Sequence, residues 1–370
     1  MDRVARLRER LATLDAQGLR RFLRKVEPIS ATEALVDGQR AVVFCSNDYL
    51  GLAHHPDVVA AWRGAGAGAS RLISGNRPAH EALEAALGER FGGTATLFNS
   101  GYQANVTLFS TLPDADDRVA SDAANHASII DGLRLGPARR TVVPHGGTDL
   151  IPGDTTLAVT ESLFSMDGDL ADMDAWRGPW TLVVDEAHAV GTIGPGGRGH
   201  AAATGVPVDV LVGTLGKAYG AAGAFVVGPP ALRELLISAG RGFVYSTALP
   251  EAVARAALEG FRRADDDARE RLAANTHRLR AGLAQVGVAA LGSAHIVPLV
   301  TGERTMAVAA AMLERGIFAA GVRFPTVPRG AERIRLTVSA AHTPEQIDRC
   351  VSTVAAVLAD ASAAGGDTTR

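Results

Sequence analysis

The chain has 370 residues, with 37 lysines and arginines against 40 aspartates and glutamates and a formal net charge of −3. That balance leaves no basic footprint for nucleic acid and no acidic tail, and it points to small-molecule partners. The length exceeds what one core usually fills, so a large and a smaller domain are expected, and two cysteines, Cys45 and Cys350, suit neither a metal site nor a disulfide framework, which argues for the reducing cytoplasm.

Taken in order, Leu7, Leu11 and Leu14 recur at helical spacing. They predict an amphipathic helix over the first two dozen residues, with Arg20, Arg21, Arg24 and Lys25 on its polar face and Pro28 ending it. No apolar leader opens the chain, and the apolar stretch from Val208 to Gly228 is broken by Asp209 and Lys217. Neither a signal peptide nor a membrane span is therefore expected. Ala41 to Phe44 reads as a strand running into the polar turn Ser46-Asn47-Asp48-Tyr49-Leu50-Gly51, and Pro56 opens a helix. A glycine-rich stretch, Gly64 to Gly75, precedes a helix from about Ala79 to Phe91. Its His80-Glu81 begins a zinc-binding pattern that Glu84 breaks, so no metal site follows.

Thr96 to Phe98 is a short strand, and Asn99-Ser100-Gly101-Tyr102 turns it into a helix reaching about Leu112. A strand, a glycine turn and a helix N-terminus present free N–H groups to an anion, here a phosphate, although an ordinary βα turn has the same local pattern. Strands and helices then alternate: Arg118 to Ala120, a helix from Ala127 to Leu135, Thr141 to Val143, Leu157 to Thr160 and Thr181 to Val184. This is the rhythm of a parallel sheet covered on both faces. Two strands end in loaded turns, Glu161 to Asp169 and Asp185-Glu186-Ala187-His188. The second matches a helicase acidic box, but no phosphate loop accompanies it; Gly194 to Gly199 matches a dinucleotide pattern interrupted by Pro195.

Between the strand patterns Val208 to Val212 and Gly223 to Gly228 lies Gly213-Thr214-Leu215-Gly216-Lys217-Ala218-Tyr219-Gly220. A lysine held among glycines and apolar residues is poorly solvated and becomes nucleophilic toward carbonyls. A lysine snorkelling to the surface is the alternative that the octapeptide leaves open. Beyond it the patterning predicts a helix from Pro230 to Ser238, an extended piece from Phe243 to Thr247 and one long helix from Pro250 to about Val286. A smaller unit follows: strands at His295 to Val300 and Ile334 to Val338, helices at Met306 to Arg315 and Pro344 to Ala359, and a frayed tail from Ala361.

The ordered set Ser46 to Gly51, Ser100 to Tyr102, His126, Phe164 to Gly168, Asp185 to His188, Thr214 to Lys217 and Pro325 to Pro328 closely resembles the α-oxoamine synthases. These are pyridoxal-phosphate (PLP) enzymes of the aspartate-aminotransferase fold. The resemblance implies an α/β fold of type I, with a mostly parallel central sheet in a large domain and a smaller α/β C-terminal domain. It divides the chain into an N-terminal helical segment at 1–40, a large cofactor-binding domain at 41–270 and a small domain at 271–370.

It also implies roles. Lys217 would hold the cofactor and take the substrate Cα proton, Asp185 would pair with the pyridinium nitrogen, and His126 would stack on the ring. His188 would bond the ring oxygen; Gly101, Tyr102 and Thr214 would hold the phosphate, with Thr247 reaching in from a second subunit of a homodimer; Ser165 is a further cofactor contact. Asn47 and Arg335 would hold the amino-acid carboxylate, and Arg20 and Thr326 would face the acyl substrate. Within the family, Arg71 to Asn76 and Arg323 to Thr326 look most like the branch that condenses L-alanine with a pimeloyl thioester, carried on coenzyme A or an acyl carrier protein. Branches joining glycine to acetyl-CoA or succinyl-CoA, and a non-catalytic protein on the same fold, are the alternatives.

Overall fold

The computed structural model describes residues 2–365. The first helix, Arg3–Ala16, is shorter than its apolar repeat predicts, because Gly18 takes a left-handed φ of +64° and Leu19 N–H closes back onto the Leu14 carbonyl. Arg20, Arg21, Arg24 and Lys25 therefore lie beyond the helix rather than on its polar face. Leu7, Leu11 and Leu14 are exposed, so nothing among the described residues covers that stripe. Strands β1 (Val26–Pro28), β2 (Glu33–Val36) and β3 (Gln39–Val43) form an antiparallel meander. Pro28, expected as a stop, lies at the end of β1.

The large sheet holds β4 (Thr94–Phe98), β5 (Arg118–Asp122), β6 (Arg139–Val143), β7 (Leu157–Glu161), β8 (Thr181–Asp185), β9 (Val210–Thr214) and β10 (Ala224–Gly228). Their order is β4-β10-β9-β8-β7-β5-β6, and β10 alone runs against the rest. The carboxyl ends of the other six strands therefore share one edge, where open α/β sheets form their ligand crevice. Alternation along β8 shows how both faces are covered: Val183 packs with Leu108, Phe109 and Ile129 on one side, while Leu182 and Val184 pack with Phe164, Met173 and Trp176 on the other.

A smaller antiparallel sheet joins β11 (Ile296–Val300), β13 (Ala320–Val322) and β14 (Arg333–Thr337), while β12 (Ile317–Phe318) pairs with β3 of the N-terminal meander. One apolar cluster runs from Leu97 and Phe225 of the large sheet through Tyr49 and Tyr219 to Val297 and Ile334 of the small one.

Two other segments differ from the sequence patterning. Arg241–Val244 is a short helix, not an extended piece, because it seats Phe243 edge-on against Phe98 at 6.0 Å between centroids. The long helix after Pro250 is two, Glu251–Arg263 and Asp266–Gln285. Asp265 makes the break: its carboxylate accepts the Ala268 N–H as an N-cap, with Asp266 and Asp267 in the first turn behind it and Arg262 and Arg263 at the end of the helix before. The last helix, Pro344–Gly365, runs past Ala359; of the tail expected to fray, 366–370 lie outside the described residues. No helix among the described residues is long and apolar enough to cross a membrane.

Candidate active site

The carboxyl edge of the large sheet gathers most of the residues singled out in the sequence. Asp185 is the last residue of β8; its Oδ2 accepts from Asn105 Nδ2 at 2.7 Å and its Oδ1 from the Ala187 N–H at 2.9 Å. Asn105, inside the helix Gly101–Thr111, also donates to Ser128 Oγ at 3.0 Å, and that hydroxyl lies 2.7 Å from His126 Nδ1. His126 caps the helix Ala127–Leu135, and burial holds its pKa below the ordinary value, so the ring is neutral.

Lys217 sits on the turn between β9 and β10. Burial draws its pKa down to about 8, against the attraction of Asp185 and Glu161. Its Nζ lies 2.7 Å from His188 Nε2, and His188 Nδ1 lies 2.6 Å from the Tyr49 hydroxyl. Tyr49 in turn reaches Asn47 Oδ1 at 3.0 Å, which also receives the guanidinium of Arg335 at 3.3 and 3.4 Å. Arg335, on β14, donates its Nε–H to the Ser165 carbonyl at 2.5 Å. Lys217, His188, Asn47, Arg335 and Ser165 thus form one network drawn from both sheets.

Glu161, at the end of β7, is fully buried; burial first, and then the Asp185 carboxylate, push its pKa well above the usual range. Glu186, the second acid of the apparent acidic box, faces away: it accepts from Ser162 Oγ at 2.5 Å and from the N–H groups of His200 and Ala201. That carboxylate caps a helix and leaves nothing for a nucleotide. Glu84, which broke the zinc pattern, accepts two N–H groups of Arg71 at 2.9 and 3.0 Å.

The anion turn is open. A Cβ on Gly101 would meet nothing within 4 Å, and among the described residues no acceptor takes the N–H of Gly101 or Tyr102. Ser100 caps the helix by accepting from Gln103 N–H, and the Tyr102 ring stands edge-on to His126. The Thr214 hydroxyl donates to the Gly223 carbonyl at 3.1 Å. Thr247 is exposed, and its carbonyl receives Asn99 Nδ2. Arg20 and Thr326 line a separate cleft of about 720 Å³ with Phe22, Met166, Met306 and Arg323. Arg20 is there paired with Asp15 at 2.7 Å, and Arg21 reaches the Thr326 hydroxyl.

The family model for aminotransferases of class I and II matches residues 39–354. The chain belongs to that family. Among relatives, it is 45% identical to the 8-amino-7-oxononanoate synthase of Anaeromyxobacter dehalogenans, over 96% of each chain. Among solved structures, it resembles serine palmitoyltransferase from S. paucimobilis carrying a PLP–myriocin adduct, with TM-score 0.90, 29% identity and coverage of 98% of this chain and 100% of the other. It also resembles the 8-amino-7-oxononanoate synthase of Francisella tularensis, with TM-score 0.76, 26% identity and coverage of 87% and 99%.

The residues present fit the PLP that this aminotransferase-family fold implies. A buried, partly deprotonated amine, a carboxylate held by Asn105, and unsatisfied N–H groups at a glycine-led helix start are a carbonyl acceptor, a partner for a ring nitrogen and a phosphate seat. Sequence reading passed over Tyr49, Asn105, Ser128 and Glu161 as functional residues. Tyr49 lies inside the polar turn Ser46 to Gly51 and Glu161 ends a strand beside a loaded turn; Asn105 is legible only as a polar residue on the buried helix face of Ala104, Leu108 and Phe109.

Proposed function

We propose that this aminotransferase-family protein is an 8-amino-7-oxononanoate synthase. It would condense L-alanine with a pimeloyl thioester, releasing carbon dioxide and the thiol, in biotin biosynthesis. The observation that carries the reading is the buried Lys217 amine, tied through His188 and Tyr49 to the carboxylate anchor of Asn47 and Arg335. The 45% identity to a synthase of that name supports it.

Pyridoxal phosphate supplies an electron-accepting ring that stabilises negative charge at the amino-acid Cα. The chain supplies the rest. Lys217, with its pKa drawn to about 8, would hold the cofactor's carbonyl carbon and, once freed, accept the Cα proton. Asp185, fixed by Asn105 and Ala187, would keep a proton on the ring nitrogen. His126, locked by Ser128, would cover the ring face; His188 would reach the ring oxygen, and Ser165 would add a contact. The N–H groups of Gly101 and Tyr102 and the Thr214 hydroxyl would take the phosphate.

Arg335 and Asn47 would orient the alanine carboxylate, for which a planar guanidinium is suited. The acyl donor would use the cleft of Arg20 and Thr326, whose lining combines arginines with Phe22 and two methionines. In this division, residues 41–270 carry the cofactor and 271–370 bring Arg335 to it. We further propose a homodimer, in which Thr247 of each copy completes the partner's phosphate seat. The exposed apolar residues Leu72, Ile73, Trp62 and Tyr245 support a covering second copy.

The test is an acyl-donor comparison at fixed alanine, with mass identification of the product. Pimeloyl thioester, on coenzyme A or an acyl carrier protein, should win by orders of magnitude, because each buried methylene is worth about 1–3 kcal/mol. A preference for serine with a palmitoyl thioester, or for glycine with acetyl- or succinyl-CoA, would move the protein to another branch.

A further inference from the structure

Arg333 and Arg335 stand two residues apart on β14, so their side chains leave the same face of the strand, and both reach the turn that follows β7. Each grips a different part of that turn. Arg335 Nε donates to the Ser165 carbonyl at 2.5 Å, while Arg333 Nη1 donates to the Met166 carbonyl at 3.1 Å and to Asp167 Oδ1 at 2.5 Å. Of these three grips only the last joins opposite charges, and the Arg333 guanidinium is buried where Asp167 is half-exposed. A buried cation depends on its partner far more than a surface one does. Beyond Asp167 the turn closes on itself through the Gly168 N–H and the Phe164 carbonyl. Gly168, at a φ of +67°, passes so close to β11 that a Cβ would fall 2.3 Å from the Ile296 carbonyl oxygen.

Both substrate sites meet at this turn. The contacts of Arg335 with Asn47 Oδ1 are long, at 3.3 and 3.4 Å, so the direction of its fork follows the Ser165 carbonyl. Met166 forms one wall of the acyl cleft, and Val322, also in that lining, pairs with Arg333 across β13 and β14. We propose that Asp167 is a positioning residue for both substrates: its ion pair with Arg333 fixes the turn against β14, and so sets the aim of Arg335 and the spacing of Met166 from Val322. Asp167 acts through those residues and not by contact with either substrate. Without its charge, Arg333 keeps only the carbonyls of Met166 and Ala331, and Ser165 and Met166 shift together with the loosened turn. Of the residues assigned to the cofactor, only Ser165 lies here; Lys217, Asp185, His126 and Gly101 belong to the large sheet and its helices. The inference rests on the proposed function in taking Arg335 as the carboxylate anchor and the cleft as the acyl seat.

The test titrates L-alanine into the holoenzyme without acyl donor and reads its affinity from the change in visible absorption. Asp167→Asn keeps the size of the side chain and exchanges a charge-assisted hydrogen bond for a neutral one, so alanine should bind about tenfold more weakly. In turnover the KM for the acyl donor should rise as well, while cofactor content after gel filtration stays near that of wild type. Asp167→Glu, which keeps the charge, should recover part of both losses. Arg335→Lys weakens alanine binding on its own, and adding Asp167→Asn to it should cost less than about twofold more, because the fork that Asp167 aims is already gone. Wild-type affinity in Asp167→Asn, a full further loss of about tenfold in the double variant, or loss of cofactor in step with alanine would overturn the role. An Arg335→Lys variant that binds alanine normally would remove the carboxylate anchor itself and this inference with it, so the two failures are told apart.

Discussion

Arg335 Nε donates to the Ser165 carbonyl at 2.5 Å, joining β14 of the small sheet to the turn that follows β7 of the large one. The same guanidinium lies 3.3 and 3.4 Å from Asn47 Oδ1, so its fork is aimed by two elements before any substrate arrives.

Arg335→Lys keeps the charge and loses the fork. A charge-assisted hydrogen bond is worth about 1.5–3 kcal/mol, so KM for alanine should rise about 10- to 100-fold while the fold is kept. Steady-state kinetics with varied alanine and a thermal scan read the two arms; an unchanged KM would remove Arg335 from the carboxylate anchor.

Asp185→Asn tests the ring-nitrogen partner. Asn105 Nδ2 and the Ala187 N–H both donate to this side chain, and an amide offers one acceptor where the carboxylate offers two. The variant should bind cofactor less tightly and lose kcat by about 100-fold or more, as for a lost charge-assisted contact at the reacting group. Cofactor content after gel filtration and kcat are the measurements, and near-wild-type values of both would refute the role.

Much of this site was legible because the chemistry sits in short runs. The strand, glycine turn and helix around Gly101 and the lysine flanked by glycines announce themselves by residue type, and the helix Ala127–Leu135 has the bounds that its pattern predicts. The strand order was not legible: β10 enters between β4 and β9 against the others, and a buried apolar run reads alike in either direction. The break at Ala264 was visible only as charge, two arginines followed by three aspartates, which the apolar repeat overrode. Tyr49 escaped notice because a tyrosine in a loop carries no period; its partner His188 is 139 residues away.

His145 yields a pH prediction. It bridges two carboxylates, Nδ1 to Asp122 at 3.0 Å and Nε2 to Asp169 at 2.9 Å, pinning the turn that carries Ser165 to the end of β5. Those hydrogen bonds raise its pKa from 6.5 to about 10. A folded pKa above the unfolded one stabilises fully below the unfolded value, and the contribution is lost as pH rises through the folded value. The difference in thermal midpoint between wild type and His145→Gln should therefore be largest below about pH 6.5 and shrink toward pH 10. A difference constant over that range would mean that the ring is not held as a cation.

Gly260 tests the packing behind the lysine turn. A Cβ there would fall 2.0 Å from the Tyr219 carbonyl oxygen, two residues past Lys217. Gly260→Ala should cost about 1–3 kcal/mol despite the better helix propensity of alanine. Denaturant midpoints check it; a stabilised variant would show that the helix Glu251–Arg263 can shift freely from the turn.

The most direct measurement asks which amine carries the cofactor. Borohydride treatment of the holoenzyme, followed by digestion and peptide mass mapping, should place one phosphopyridoxyl group on Lys217 and bleach the visible band, and Lys217→Ala should take up no label. Recovery of the group on Lys25, the other lysine of the chain, or full labelling of Lys217→Ala, would contradict the account.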